Sequence, residues 1–294
     1  MISPPLTRPT EEAVHAKAVP PAPTRARLAR SLRLLGAGAG CDAPRSQPEQ
    51  GVVLADPEAN APPEFGRCIK TTGGAYKDTR CTEAAGATEK SYEWYAAFGS
   101  SHPLEKVGFT NVLKEATTAS LETVGKTTVT CKGESSTGEY TGNKKIGKVV
   151  ITFSSCNAFG LSCNSEGAAE GTIVTHTLEG ALGVEELAAE PVNYKIGESL
   201  YPVGHTGPFA KFSCGGVSVV ITGAIISPVG PNSMKLTTQI KTKAAKGKQK
   251  PENFVGGPSE VLMTQIGEGS PEQAGETLTT VQTNEEKVEI NSVV

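Results

Sequence analysis

From residue 65 onward, short apolar and β-branched runs alternate with breaks rich in Gly, Pro and Asn. Runs of this length with period-two alternation predict β-strands. Strands are expected over 107–113, 119–124 and 127–131, and again over 171–178, 210–214, 217–222, 236–240, 261–266 and 277–283. Glu139-Tyr140-Thr141 leads through Gly142-Asn143 into Lys148-Val149-Val150-Ile151-Thr152-Phe153, which predicts a hairpin. A second hairpin is expected where Thr283 meets Asn284-Glu285 and the chain continues as Lys287-Val288-Glu289-Ile290. Helical character is confined to 185–190, which Pro191 stops. The fold class is therefore all-β, an antiparallel sandwich or barrel-like structure. Residues 62–294 form one large β domain, or two β subdomains that divide near Pro228–Pro231.

The first 61 residues follow a different rule. They are rich in Pro, Ala and Arg and lack periodic apolar spacing, so they bury too little surface to offset ordering entropy. Six of the eight arginines fall in this stretch, and from residue 81 onward every cationic side chain other than histidine is lysine. The segment reads as a disordered leader that carries a degenerate export signal, or a displaced start. Arg25, Arg27, Arg30 and Arg33 form a basic region, Leu34-Leu35 a weak apolar core, and Ala59-Asn60-Ala61 a cleavage-type motif. Gly38-Ala39-Gly40-Cys41 is a weaker match to a lipid-acceptor site. No apolar run approaches the length needed to span a bilayer.

Six of the seven cysteines lie in the β-rich region: Cys68, Cys81, Cys131, Cys156, Cys163 and Cys214. No Cys-x-x-Cys pair exists, and no histidine stands at ligand spacing. An even set without metal-type partners points to disulfides and so to a secreted, extracellular or cell-surface protein. Fifteen pairings are open; local spacing favours Cys68–Cys81 and Cys156–Cys163, leaving Cys131–Cys214.

Candidate chemistry is sparse. A net charge of −3 gives no global attraction to nucleic acid or anionic membranes. His102, His176 and His205 have no metal-type partners, and no metal or other cofactor is expected. His205 sits in a Gly/Pro loop where a base for a hydrolase could stand, with acidity from scattered glutamates; a solvated loop histidine is the simpler reading. Tyr92, Trp94 and Tyr95 form the densest aromatic group. On a strand, Tyr92 and Trp94 share one face and Tyr95 takes the other. They are either core or a binding platform for a cell-envelope polysaccharide or a protein. The lysines of 241–250 have no interleaved aromatics and read as a solvated loop.

The stretches EFGRC, SYEWY, LETVGKTTVTCKGESSTGEYTG, GAAEGTIVT with LEGALGV, PVGHTGPFAKFSCGG, GKQKPENFVGGP and LTTVQTNEEKVEINSVV cover most of residues 62–294. On these the chain resembles a family of exported, cysteine-containing, β-rich proteins of GC-rich soil bacteria. The resemblance implies export, with a signal peptide that ends just before PPEFGRC, and carries no activity or site. The leading expectation is a non-enzymatic exported protein that acts by binding at or outside the cell envelope. A hydrolase and a structural matrix or surface component are the alternatives.

Overall fold

The computed structural model describes residues 63–293. The expected leader, with Cys41 and the Ala59-Asn60-Ala61 motif, lies outside the described residues. The described residues form eighteen strands. In chain order they begin with β1 (Glu64–Lys70), β2 (Tyr92–Ala96), β3 (Gly108–Leu113), β4 (Ala119–Thr123), β5 (Thr128–Cys131) and β6 (Gly133–Tyr140). Then come β7 (Lys145–Ser154), β8 (Asn157–Ala158), β9 (Leu161–Asn164), β10 (Ile173–Val174), β11 (Leu178–Glu186) and β12 (Lys195–Pro202). The last six are β13 (Ala210–Cys214), β14 (Val217–Gly223), β15 (Ile225–Val229), β16 (Lys235–Thr242), β17 (Leu262–Ile266) and β18 (Glu272–Asn291).

Eight antiparallel pairings close a ring: β4–β5–β8–β9–β13–β14–β17–β18 and back to β4. Closure removes the sheet edges that would otherwise template aggregation. The ring uses only the first part of β18. The rest of that strand enters a second sheet, ordered β15–β12–β11–β7–β6–β3–β18–β16. The two sheets run into each other because strands continue across the junction, through Lys132 alone between β5 and β6 and Ala224 alone between β14 and β15. β1 pairs with the end of β18 and with β2. The Pro228–Pro231 stretch lies at the end of β15 and in the connection to β16.

Alternation builds the barrel interior. Ala210, Phe212 and Cys214 of β13 are buried, as are Val219 and Ile221 of β14 and Leu262 and Thr264 of β17. Their neighbours point outward, which is what a period of two requires. β6 alternates as cleanly, but its inward residues include Glu134 and Ser136, both buried.

Three sequence expectations are corrected. The hairpin expected at Asn284-Glu285 does not form: β18 runs unbroken through twenty residues. Its partner β16 instead shifts register, from Thr237 opposite Thr283 to Lys235 opposite Val288, so the polar stretch is absorbed as a bulge. Residues 185 and 186 belong to β11, and a single 3-10 turn follows at Pro191–Asn193. Pairing of Val184 with Ile196 and of Glu186 with Lys195 overrides the weak helical preference.

The third correction is the disulfide map. Cys68–Cys81 is present as expected. The other bridges are Cys131–Cys156 and Cys163–Cys214, not Cys156–Cys163 and Cys131–Cys214. The four residues stand in one row across β5, the start of β8, β9 and β13. Cα separations are 4.0 Å for Cys131–Cys156 and 4.1 Å for Cys163–Cys214. Such narrow spacing belongs to non-hydrogen-bonded pairs. Between Cys156 and Cys163 the Cys163 N–H donates to the Cys156 carbonyl at 3.0 Å, which marks the wider kind of pair. Nearness in sequence is therefore not what selects partners here; the alternation of the ladder is.

Candidate binding site at the open end of the barrel

Four hairpin connections of the ring lie at the same end: Val124 to Thr127, Phe159-Gly160, Gly215-Gly216, and Gly267 to Pro271. Two of them are two-residue turns with positive φ at both positions, the geometry whose twist matches flanking strands. At Gly215-Gly216 glycine supplies this freedom (φ 55° and 87°). At Phe159-Gly160 the first position is a phenylalanine, with φ 53° and 80% exposure. A bulky side chain in that region is a backbone outlier.

Phe159 stands over a cavity of about 180 Å³ inside the ring. Leu121, Val129, Ala158, Leu161, Val219 and Ile266 form most of its wall, with Val217 at the rim. Leu161 and Val217 are about half exposed, so the opening itself is apolar. Val124 adds a further exposed apolar side chain at the neighbouring turn. Three threonines interrupt the lining: Thr123, Thr127 and Thr264. The Thr123 hydroxyl accepts from the Thr127 N–H at 3.1 Å. For scale, an apolar cavity of about 150 Å³ is enough to hold benzene.

Leu121 and Val129 also line a smaller cavity of about 50 Å³ deeper in the barrel, whose wall includes Glu276. Glu276 in turn faces a chamber in the second sheet, where Glu134, Glu198, Asn111 and Ser136 stand among apolar side chains such as Phe109, Ile146 and Leu278. No lysine or arginine lines that chamber. Burial pushes the Glu276 carboxyl up to about 8, and the nearby Glu134 charge adds to the effect. Burial alone lifts Glu198 to about 7. Glu134 also rises to about 7, with a hydrogen bond to Ser136 opposing its burial. These side chains therefore spend much of their time uncharged near neutral pH, which makes their burial tolerable.

The aromatic group is divided as its spacing implies. The Trp94 indole N–H donates to Glu64 Oε1 at 2.5 Å, and its ring lies against Gly66. The Tyr95 ring packs at 4.4 Å from His102. Tyr92, Trp94 and Tyr95 are each half-buried on β2, and the strand alternation keeps them from presenting one face. His205 stacks on Tyr201 at 3.8 Å in an exposed loop and does not line the chamber that holds Glu134, Glu198 and Glu276. His176 belongs to an open groove outside the barrel with Lys211 and Glu166. Among the described residues no group of three His, Cys, Asp or Glu stands close enough to hold a metal ion.

The lysine-rich stretch is anchored by Gln249, which is fully buried and accepts from the Glu276 backbone N–H at 3.0 Å. Gly247 abuts the Thr123–Val124 backbone so closely that a Cβ would not fit. Sequence reasoning did not find the cavity or the interior carboxyls. The only available signal for the first was Phe159 in a turn position suited to Asn or Gly. The second had none, because glutamates in an alternating polar strand look solvent-facing. Comparison of the sequence with protein-family models and with characterised proteins, and of the fold with solved structures, found no match.

Proposed function

We propose that this is an exported binding protein that captures an apolar group of its ligand in the open end of the barrel, acting at or outside the cell envelope. The observation that carries the reading is Phe159. The turn itself requires a left-handed backbone at this position, yet it is filled by a bulky residue unsuited to it, whose ring is left exposed; the hairpin needs neither feature of that side chain. Both make sense if the ring closes over a ligand seated on Leu161, Val217 and Val219. Export is supported by three disulfides, which persist in oxidising compartments. No helix among the described residues is long and apolar enough to cross a membrane. The hydrolase reading has less support: Glu179 and Glu260 stand near His205, but this group lies in an exposed loop where His205 stacks on Tyr201, apart from the interior glutamates.

Binding is measured with the neutral dye N-phenyl-1-naphthylamine, whose fluorescence rises in apolar surroundings. The intact protein is expected to show one saturable site. Phe159→Asn places a residue suited to positive φ in the turn, so the fold is kept or stabilised. That variant is expected to bind the dye at least about fivefold more weakly, the equivalent of about 1 kcal/mol of lost ring contact. Unchanged dye affinity in a folded Phe159→Asn protein would refute the reading.

A further inference from the structure

The outer face of the ring carries a second concavity, of about 580 Å³ against about 180 Å³ at the mouth. Small-molecule sites commonly measure about 300–1,000 Å³. The floor of this groove is a row across three strands: Asn164 of β9 stands opposite Ser213 of β13, and Ser213 opposite Ser218 of β14. Their neighbours Cys163, Phe212, Cys214 and Val219 are buried in the barrel, so alternation turns these three polar side chains outward. Lys211, two residues before Ser213, shares that face. The wall comes from the chain around β10, with Glu166 before that strand and His176 after it. Ser165 holds the wall in place: its hydroxyl accepts from the Val174 N–H at 3.0 Å and donates to the Lys211 carbonyl at 3.0 Å. Glu166, His176, Lys211 and Ser218 are exposed and Ser213 is partly so, and the side chains of all five engage no partner among the described residues.

We infer that this groove binds a neutral oligosaccharide. A sugar hydroxyl both donates and accepts, so its site needs both functions side by side. Asn164, Ser213 and Ser218 each supply both, Lys211 donates and Glu166 accepts. One lysine against one glutamate leaves no excess charge to select a polyanion or a polycation. An extended peptide finds no strand edge to join. β13 is paired with β14 on one side; on the other, Thr175 pairs with Ala210, Ser165 takes the Lys211 carbonyl and Asn164 pairs with Ser213. The aromatic anchors that protein partners favour are missing from the wall too, since its one phenylalanine, Phe212, is buried. Val174 and the His176 ring give the C–H faces of a sugar something to pack against. The groove shares no wall residue with the barrel mouth, so the inference does not rest on the mouth being a ligand site.

The test titrates the intact protein with cellotetraose, maltotetraose and tetra-N-acetylchitotetraose, and with a heparin-derived tetrasaccharide as the anionic comparison, following amide chemical shifts by NMR. At least one neutral sugar is expected to saturate, with the largest shifts at Asn164, Lys211, Ser213 and Ser218. The double variant Ser213→Ala with Ser218→Ala removes two outward hydroxyls and leaves the barrel interior untouched. It should bind that sugar about tenfold more weakly. Phe159→Asn should bind it as the wild type does. Saturation by none of the neutral sugars overturns the inference, as does equal affinity in the double variant or a sugar response centred on the Phe159 turn. Tighter binding of the heparin fragment than of every neutral sugar overturns the ligand class.

Discussion

Replacing Glu276 by glutamine should change how stability depends on pH in a way the structure specifies. In the folded protein, burial first and the Glu134 charge second hold this carboxyl up at about 8, against an ordinary value of 4.5. The folded state therefore keeps a proton that the unfolded chain gives up. A group whose pKa is raised on folding contributes stability that is fully present below the unfolded pKa and is lost as pH rises toward the folded one. From pH 4 to pH 7 this single group should lower the unfolding free energy by about 3 kcal/mol, and by about 5 kcal/mol at pH 9. Glutamine has nearly the same shape and no charge at any pH. Glu276→Gln should match the wild type near pH 4.5 and exceed it progressively above pH 5. The difference should grow by up to about 1.4 kcal/mol per pH unit until about pH 8. Urea unfolding with disulfides intact, followed by the fluorescence of Trp94, the only tryptophan, gives both curves. Residual slope in the variant is expected from Glu134 and Glu198, which burial also raises. Parallel curves across pH 5 to 8.5 would show that Glu276 is solvated, and the description of the interior chamber would fail with it.

Two further predictions rest on packing. Non-reducing peptide mapping should recover Cys131 linked to Cys156 and Cys163 linked to Cys214, with no Cys156–Cys163 peptide. Removing either bridge by paired alanine substitution should cost about 3.5 kcal/mol for the separation of 25 residues and about 4 kcal/mol for that of 51, read by urea denaturation. Gly66→Ala would set a Cβ 2.5 Å from Trp94 Cζ2 and against the Tyr95 carbonyl. It should lower stability by about 1–3 kcal/mol and shift the Trp94 emission, whereas Gly86→Ala, which meets nothing within 4 Å, should leave the emission where it is.

The local pattern of this chain determined its strands. Alternation along 210–214 and 217–222 and the Gly-rich breaks between them depend only on near neighbours, and those segments became β13 and β14. The cysteine set likewise announced disulfides, because the absence of metal-type partners is visible in one dimension. Pairing was a different matter. Cys131 and Cys156 are joined because the closed ring puts them on a narrow rung, and closure is a property of all eight strands together. Asn284-Glu285 read as a turn, yet β3 and β16 hold that strand from both sides and turn the irregularity into a bulge. The inward glutamates were illegible for a related reason. A period of two says that Glu134 and Ser136 share a face, but only the wrapping of the second sheet decides that this face is the inside. The open end required four distant hairpins to gather at one rim before Phe159, an ordinary-looking loop residue in the sequence, could stand over an apolar cavity.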